Sequence, residues 1–209
     1  MKKPTRTLLF HAMALATVLA AALSSCTTDT PVMPYVTEFV NAYTDSDGFI
    51  AVIKNDRGSS YVTSDTARLR PDTLYRRLMV YVVNPDLTSA TIIDHISVIS
   101  SVPEKPDPFR LIQNPVEVQS VWRSGGWLNV IFNIKALDKV HKLGAFDFST
   151  DKRVEFKIFH EEGNDIRSYT KKAYMSIPLW PYSEILSIND TITLSYVNYD
   201  NDSISLSIP

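Results

Sequence analysis

Two adjacent stretches, Val116-Glu117-Val118-Gln119-Ser120-Val121-Trp122 and Gly125-Gly126-Trp127-Leu128-Asn129-Val130, decide the fold of this chain. In the first stretch, Val116, Val118 and Ser120 fall on one face, because successive side chains of a strand point to opposite faces. The second stretch opens with a Gly-Gly pair, which favours a tight hairpin turn, and continues as an apolar return strand. The sequence therefore predicts a β-hairpin at the centre of the chain.

The residues after this hairpin predict more strands. Arg153-Val154-Glu155-Phe156-Lys157-Ile158-Phe159 alternates strictly between polar and apolar side chains, and three later segments are also strand-like: residues 173–179, 191–197 and 203–208. Six or seven antiparallel strands in about 95 residues are typical of a β-sandwich, which we predict over residues 113–209. One short helix is predicted over residues 136–143, ended by Gly144.

The first half of the chain predicts a smaller unit. Four segments are rich in apolar and β-branched residues: 48–53, 59–64, 78–83 and 90–99. Four or five short strands in about 65 residues, with no helix between them, indicate a small OB-like barrel over residues 48–102. The proline-rich residues 103–112 are predicted to be a linker. The predicted fold class is therefore all-β: a small OB-like barrel followed by an antiparallel β-sandwich.

Cys26 is the only cysteine of the chain and follows a typical targeting segment. A basic start and an apolar run over residues 8–23 form the pattern of a secretory signal peptide, predicted over residues 1–25. The run ends in Leu23-Ser24-Ser25-Cys26, which resembles a bacterial lipobox, so we predict that Cys26 carries a lipid anchor that holds the protein at a membrane. The expected location is the cell envelope, as an outer-membrane lipoprotein, facing either the periplasm or the outside.

The segment after Cys26 is polar and is predicted to be a tether over residues 26–47. A flexible tether of this length would span roughly 25 Å. As an alternative, Tyr35 to Val40 could dock as an edge strand.

Net charge and cysteine usage exclude several classes of partner. Removing the signal peptide leaves a net charge of −5, which argues against nucleic acid as a partner. A single cysteine forms neither an internal disulfide nor a cysteine zinc site.

The sequence predicts no catalytic, metal-binding or cofactor-binding residue, and therefore no enzyme. The histidines after the signal peptide have no metal-ligand spacing: His95, His141 and His160. His141 is interpreted as an exposed residue of the predicted helix, and Glu161-Glu162 as a solvated hairpin tip. Asp45-Ser46-Asp47-Gly48 lacks the remaining ligands of a calcium loop and is interpreted as a turn.

Two groups of aromatic residues are candidates for binding. OB barrels often bind oligosaccharides through aromatic side chains on one face, and Phe49, Tyr61 and Tyr81 lie on the predicted barrel strands. Aromatic residues at alternating strand positions are also typical of a core. Leu179-Trp180-Pro181-Tyr182 either contacts a partner or closes one end of the sandwich.

Four Asp-Ser/Thr-aliphatic triplets resemble O-glycosylation sites of Bacteroidota, and their hydroxyls belong to Thr66, Thr73, Thr191 and Ser203. A glycan at such a site requires an exposed loop. A turn aspartate followed by the first residue of a strand explains the same pattern.

The lipoprotein-like start, the barrel-like half and the two stretches quoted first resemble the NigD-like family of Bacteroidota lipoproteins. The resemblance implies an OB-type N-terminal domain and a C-terminal β-sandwich domain, but neither an activity nor any functional residue. The family name derives from a bacteriocin gene neighbourhood, which implies an immunity or accessory role. We expect a non-enzymatic, lipid-anchored envelope protein that binds a protein or glycan, and the alternative is a bacteriocin immunity protein.

Overall fold

Strands make up most of the residues that the structure, a computed structural model, describes: 34–65, 68–100, 102–106, 112–188 and 190–209. They form one closed barrel and two four-stranded sheets. This architecture confirms the predicted all-β fold with a small barrel followed by a sandwich. No helix in this part of the chain is long and apolar enough to cross a membrane.

Five strands close the barrel in the order β1-β2-β3-β5-β4: β1 (Val36–Thr44), β2 (Ile50–Asn55), β3 (Ser60–Thr63), β4 (Leu74–Val83) and β5 (Ser89–Ser97). The barrel closes because β1 pairs with β2 on one side and with β4 on the other. Inward-pointing side chains fill the core, among them Val40, Ala42, Ile53, Met79 and Tyr81.

Strand β1 corrects the prediction of a tether over residues 26–47. Residues 36–44 are a central strand of the barrel, paired on both sides, and not a tether or an edge strand. The sequence signal is weak because β1 is buried on both faces over part of its length. Val40 faces the barrel core, whereas the neighbouring Phe39 packs against the sandwich.

The sandwich consists of two sheets, ordered β13-β12-β10-β9 and β6-β11-β8-β7. Their strands are β6 (Ile99–Ser100), β7 (Glu117–Ser124), β8 (Trp127–Ala136), β9 (Lys142–Asp147), β10 (Val154–Glu161), β11 (Tyr169–Pro178), β12 (Ile192–Val197) and β13 (Ser203–Ile208). Most ladders are antiparallel, as predicted, but β10 with β12 and β11 with β6 are parallel.

The boundary between barrel and sandwich differs from the predicted one. Strand β6 already pairs with β11, so the sandwich begins within the predicted barrel range 48–102. The backbone N–H of Asp147 donates to the Glu104 carbonyl at 2.8 Å. The start of the predicted linker 103–112 therefore lies against the edge of β9, and residues 107–111 lie outside the described part of the chain.

The predicted helix over residues 136–143 is wrong. Strand β8 runs to Ala136, strand β9 starts at Lys142, and Gly144 lies inside β9. Pairing with β10 overrides the local helical pattern. The helix that does form, α1 (Ser183–Ile188), follows a 3-10 turn over Trp180–Tyr182 and buries Leu186 in the sandwich core.

The β7–β8 hairpin has the predicted Gly-Gly turn. Ser124 pairs with Trp127 across it, and the φ angles of Gly125 and Gly126 are +58° and +81°. A two-residue hairpin turn of this type needs positive φ at both central positions, which glycine adopts readily. The turn lies against Asp56, at the tip of the β2–β3 turn of the barrel.

Candidate binding cleft between the barrel and the sandwich

A buried arginine joins the barrel to the sandwich. The side chain of Arg76, on β4, is fully buried and donates to both carboxylate oxygens of Asp56, at 2.6 and 2.7 Å. It also reaches the side-chain oxygens of Asn129, at 3.1 Å, and of Ser176, at 3.3 Å, in the sandwich. The bidentate pair with Asp56 fixes the guanidinium within the barrel. Its bonds to Asn129 and Ser176 then link β4 to β8 and β11.

The hairpin supplies the remaining partners of this network. Ser124 Oγ donates to the Asp56 carboxylate and accepts from Asn129 Nδ2 at 3.0 Å. Ser176 Oγ donates to Asn129 Oδ1 at 2.7 Å. Each of these polar groups is therefore hydrogen-bonded, as burial requires.

Aromatic rings surround the Arg76 guanidinium. Its central carbon lies 5.5 Å from the ring of Phe39 and 5.0 Å from that of Trp127. Phe39 also makes edge-to-face contacts with Trp122, at 5.4 Å between ring centroids, and with Tyr174, at 6.2 Å. One barrel aromatic thus packs between two aromatics of the sandwich.

A cleft of about 500 Å³ opens along this junction, a size that suits ligand-binding sites. Its apolar wall consists of Phe39, Leu78, Trp122, Ile131 and Tyr174. Its charged side chains are Glu38, Asp56, Arg57 and Lys172.

A cleft of about 580 Å³ beside β9 is a weaker candidate. Its lysines already have internal partners: Lys142 pairs with Glu161 at 2.9 Å, and Lys105 pairs with Asp147 at 2.9 Å. The aromatic cleft between barrel and sandwich is therefore the candidate site.

Glu38, in the wall of the cleft, is held by the barrel. Its Oε1 accepts from Asn55 Nδ2 at 3.1 Å and from the Tyr81 hydroxyl at 2.5 Å. Burial, together with the bond to Glu38, raises the pKa of Tyr81 well above its usual range. Tyr81 therefore remains a neutral donor to Glu38.

The aromatic residues predicted on the barrel do not line this cleft. Tyr81 is part of the barrel core, and Tyr61 is half-buried against it, with ring centroids 5.8 Å apart. Phe49 is half-buried near the guanidinium of Arg68. In the other predicted cluster, Tyr182 is buried in the sandwich core while Trp180 is 57% exposed.

Sequence reasoning missed the wall of the cleft. Phe39 falls within the predicted tether, whereas Trp122 and Tyr174 are single residues of two ordinary predicted strands. These rings come from three separate strands, so no local pattern could have grouped them.

A buried histidine pair corrects the interpretation of His141 as an exposed helix residue. His141 Nδ1 lies 2.8 Å from His160 Nε2, and His141 Nε2 lies 3.1 Å from the carboxylate of Asp165. His160 Nδ1 lies 3.0 Å from the Pro115 carbonyl oxygen. The groups form a chain and do not converge on one point, and no set of three or more potential ligands among the described residues is arranged to hold a metal ion.

The neighbours of the pair set the roles of its outer nitrogens. The Asp165 carboxylate and the Pro115 carbonyl accept hydrogen bonds, so both outer nitrogens of the pair are N–H donors. Although burial opposes ionisation of Asp165, its bonds to the Leu137 N–H and to His141 hold the pKa of this carboxyl well below its usual range.

We expect stability to fall in mild acid because of His160. Burial lowers the pKa of His160 below that of the unfolded chain, although its hydrogen bond to the Pro115 carbonyl opposes this shift. Below about pH 6.5 the unfolded state therefore binds more protons, and stability falls as the pH drops towards the lowered pKa. The urea midpoint should decrease between pH 7.5 and pH 5, and His160→Gln should reduce this decrease. His95→Gln is the control and should leave the decrease in urea midpoint unchanged. An equal decrease in His160→Gln and the wild-type protein would show that His160 does not cause it.

The acidic residues considered in the sequence bind partners inside the protein. Glu161 pairs with Lys142 and Glu162 with Arg167, so the two carboxylates point to different partners. Asp45 Oδ1 accepts from the backbone N–H groups of Asp47 and Phe49, which closes a turn.

The predicted modification sites differ in accessibility. Cys26 and Thr66 lie outside the described residues. Thr73 is half-buried and donates its hydroxyl to the Pro71 carbonyl at 2.7 Å, and Thr191 is half-buried. Ser203, the first residue of β13, is exposed.

Comparison with known proteins identifies the family. Residues 100–208 match the family model of the NigD-like C-terminal beta sandwich domain. The chain belongs to the NigD-like family. Among curated proteins, none matches it.

Solved structures related to this NigD-like chain cover the barrel as well as the sandwich. A NigD-like immunity protein from Bacteroides caccae is 27% identical, with a TM-score of 0.69 over 84% of this chain and 92% of that one. A protein of unknown function from Bacteroides vulgatus has 13% identity and a TM-score of 0.66, covering 83% and 90%. A candidate lipoprotein from Bacteroides fragilis has 8% identity and a TM-score of 0.62, covering 84% and 97%. The last two share the NigD-like fold, and none of the three is named as an enzyme.

Proposed function

We propose that this NigD-like chain is a non-enzymatic, lipid-anchored envelope protein that binds a partner in the cleft between its barrel and its sandwich. The observation that carries the proposal is the half-buried aromatic wall of Trp122 and Tyr174, set beside charged side chains in a cleft of about 500 Å³. Binding sites combine an apolar wall with a few placed polar groups in this way. The Arg76 network keeps both walls in a fixed arrangement before the partner arrives.

A photocrosslinking amino acid at Lys172, tested in intact cells, should give a defined adduct that Trp122→Ala reduces at least roughly tenfold, because a large aromatic contact is lost. The same crosslinker at Lys152, an exposed residue that does not line the cleft, is the control. An adduct from Lys172 that persists unchanged in Trp122→Ala would refute the cleft as the binding site.

We propose that the acyl chains on Cys26 hold the protein at the outer membrane. The lipobox-like sequence supports this proposal, and two or three acyl chains give stable anchoring. Cys26→Ala should move the protein from the membrane fraction to the soluble envelope fraction.

The intact mass of the wild-type protein tests both modifications. It should exceed the mass of the bare chain from Cys26 by the acyl groups, and any further excess would report a glycan on Thr66, Thr73, Thr191 or Ser203. Wild-type protein with the mass of the bare polypeptide would refute both modifications.

Bacteriocin immunity is the second candidate function, favoured by the similarity to the NigD-like immunity protein from Bacteroides caccae. If the cleft captures the toxin, expressing the chain in a sensitive strain should protect it, and Trp122→Ala should abolish protection. Unchanged sensitivity after deleting the gene would count against this role.

A further inference from the structure

The cleft contains two carboxylates, and both are engaged inside the protein. Asp56 binds Arg76 and Ser124, and Glu38 accepts from Asn55 and Tyr81. The charge of Asp56 is balanced by Arg76, whereas Glu38 is held by two neutral donors and keeps its negative charge.

The two cations of the cleft are free to bind a ligand. Arg57, at the tip of the β2–β3 turn, and Lys172, on β11, are exposed, and neither side chain forms an ion pair with any other described residue. They come from the barrel and the sandwich respectively. Two unpaired cations therefore face one carboxylate, Glu38, that has no cationic partner in the described part of the chain, so the balance of charge at the aromatic wall is positive.

Hydroxyl groups free to bind a ligand are few in the cleft. The Ser124 hydroxyl is used by Asp56 and Asn129, which leaves the hydroxyls of Thr37 and Tyr174 as the two in the lining without a side-chain partner among the described residues. An oligosaccharide presents many hydroxyls, and each one that is buried without a partner costs binding free energy. The apolar wall favours a ligand with an apolar side chain instead.

We propose that the cleft binds an acidic polypeptide segment, with an apolar or aromatic side chain against Trp122 and Tyr174 and carboxylates paired to Arg57 and Lys172. This inference rests on the proposed binding function and specifies the class of its partner. It predicts salt-dependent binding, because both ion pairs lie at the exposed rim.

Three blocked hexapeptides test the proposal against the full chain purified from membranes in detergent. Each has a central Leu-Phe, flanked on both sides by two glutamates, two glutamines or two lysines, and fluorescence anisotropy of a terminal dye reports binding. The glutamate peptide should bind roughly tenfold tighter than the glutamine peptide and more weakly at 0.5 M salt. Arg57→Glu/Lys172→Glu should remove this preference, whereas Arg70→Glu/Lys152→Glu, with the same change in charge on exposed residues outside the cleft lining, should keep it.

The outcomes separate the ligand class from the binding function. Equal affinity for the three peptides, no binding of the glutamate peptide at 1 mM, or a preference that survives Arg57→Glu/Lys172→Glu would overturn the proposal. An oligogalacturonate that binds in a Trp122-dependent manner, in the absence of peptide binding, would overturn the polypeptide class but leave the cleft as a binding site. Loss of the glutamate preference in the cleft variant alone supports the proposal.

Discussion

Asp56→Ala is expected to destabilise the folded chain by about 3–5 kcal/mol. The change leaves the Arg76 guanidinium buried between barrel and sandwich without its carboxylate. Asn129 and Ser176 still accept from Arg76, but they carry no charge to balance it. Urea unfolding at pH 7 measures the loss. Separate probes in the barrel and in the sandwich report whether the two halves still unfold in one transition.

Two variants control for this result. Asp190→Ala removes an ion pair with Arg123 in which the Asp190 side chain is 75% exposed, so it should cost no more than about 1 kcal/mol. Asp56→Ala/Arg76→Leu removes the buried charge together with its partner and should recover part of the lost stability. A cost below about 1 kcal/mol for Asp56→Ala alone would show that the pair does not hold the junction together.

Gly125→Ala is expected to cost about 2–5 kcal/mol, for two reasons. An alanine at φ +58° is strained by roughly 1–2 kcal/mol. Its Cβ would also lie 2.7 Å from the carboxyl carbon of Asp56 and 2.8 Å from the Asp56 Cα, which forces the two turns apart. Overpacking of this kind adds about 1–3 kcal/mol.

Gly126→Ala separates the two contributions. Gly126 has φ +81°, but a Cβ there would meet no other atom within 4 Å. Gly126→Ala should therefore lose stability only through backbone strain. The loss for Gly125→Ala should be larger, by the cost of the contact with Asp56. Urea midpoints of both variants measure this difference; equal losses would mean that the turn moves away from Asp56 freely.

The sequence predicted the features that depend on neighbouring residues. Strict alternation in residues 153–159 marks β10, because a strand with one buried face must repeat every second residue. The Gly-Gly pair marks the β7–β8 turn because few other residues adopt positive φ at both positions. Alternation fails for β1, where Phe39 and Val40 are buried on opposite faces, and this is why the strand that closes the barrel resembled a tether.

The histidine pair shows why spacing in the sequence was a poor guide to the interior. His141 and His160 are 19 residues apart and match no metal motif. The β9–β10 register pairs Leu143 with His160, which brings the segment just before β9 close to His160. Register is a property of the assembled sheet, so sequence spacing alone could not reveal the contact.

The sequence by itself determined the strand-rich character of this protein, its central hairpin and its lipobox-like start, because each depends on residues that are close together along the chain. The tertiary structure alone decided the cleft. Phe39, Trp122 and Tyr174 meet because Arg76 of the barrel is bonded to Asp56 and, in the sandwich, to Asn129. The physical reason is that burial and charge pairing act between parts of the chain that are distant in sequence, and they become defined only when the two parts pack together.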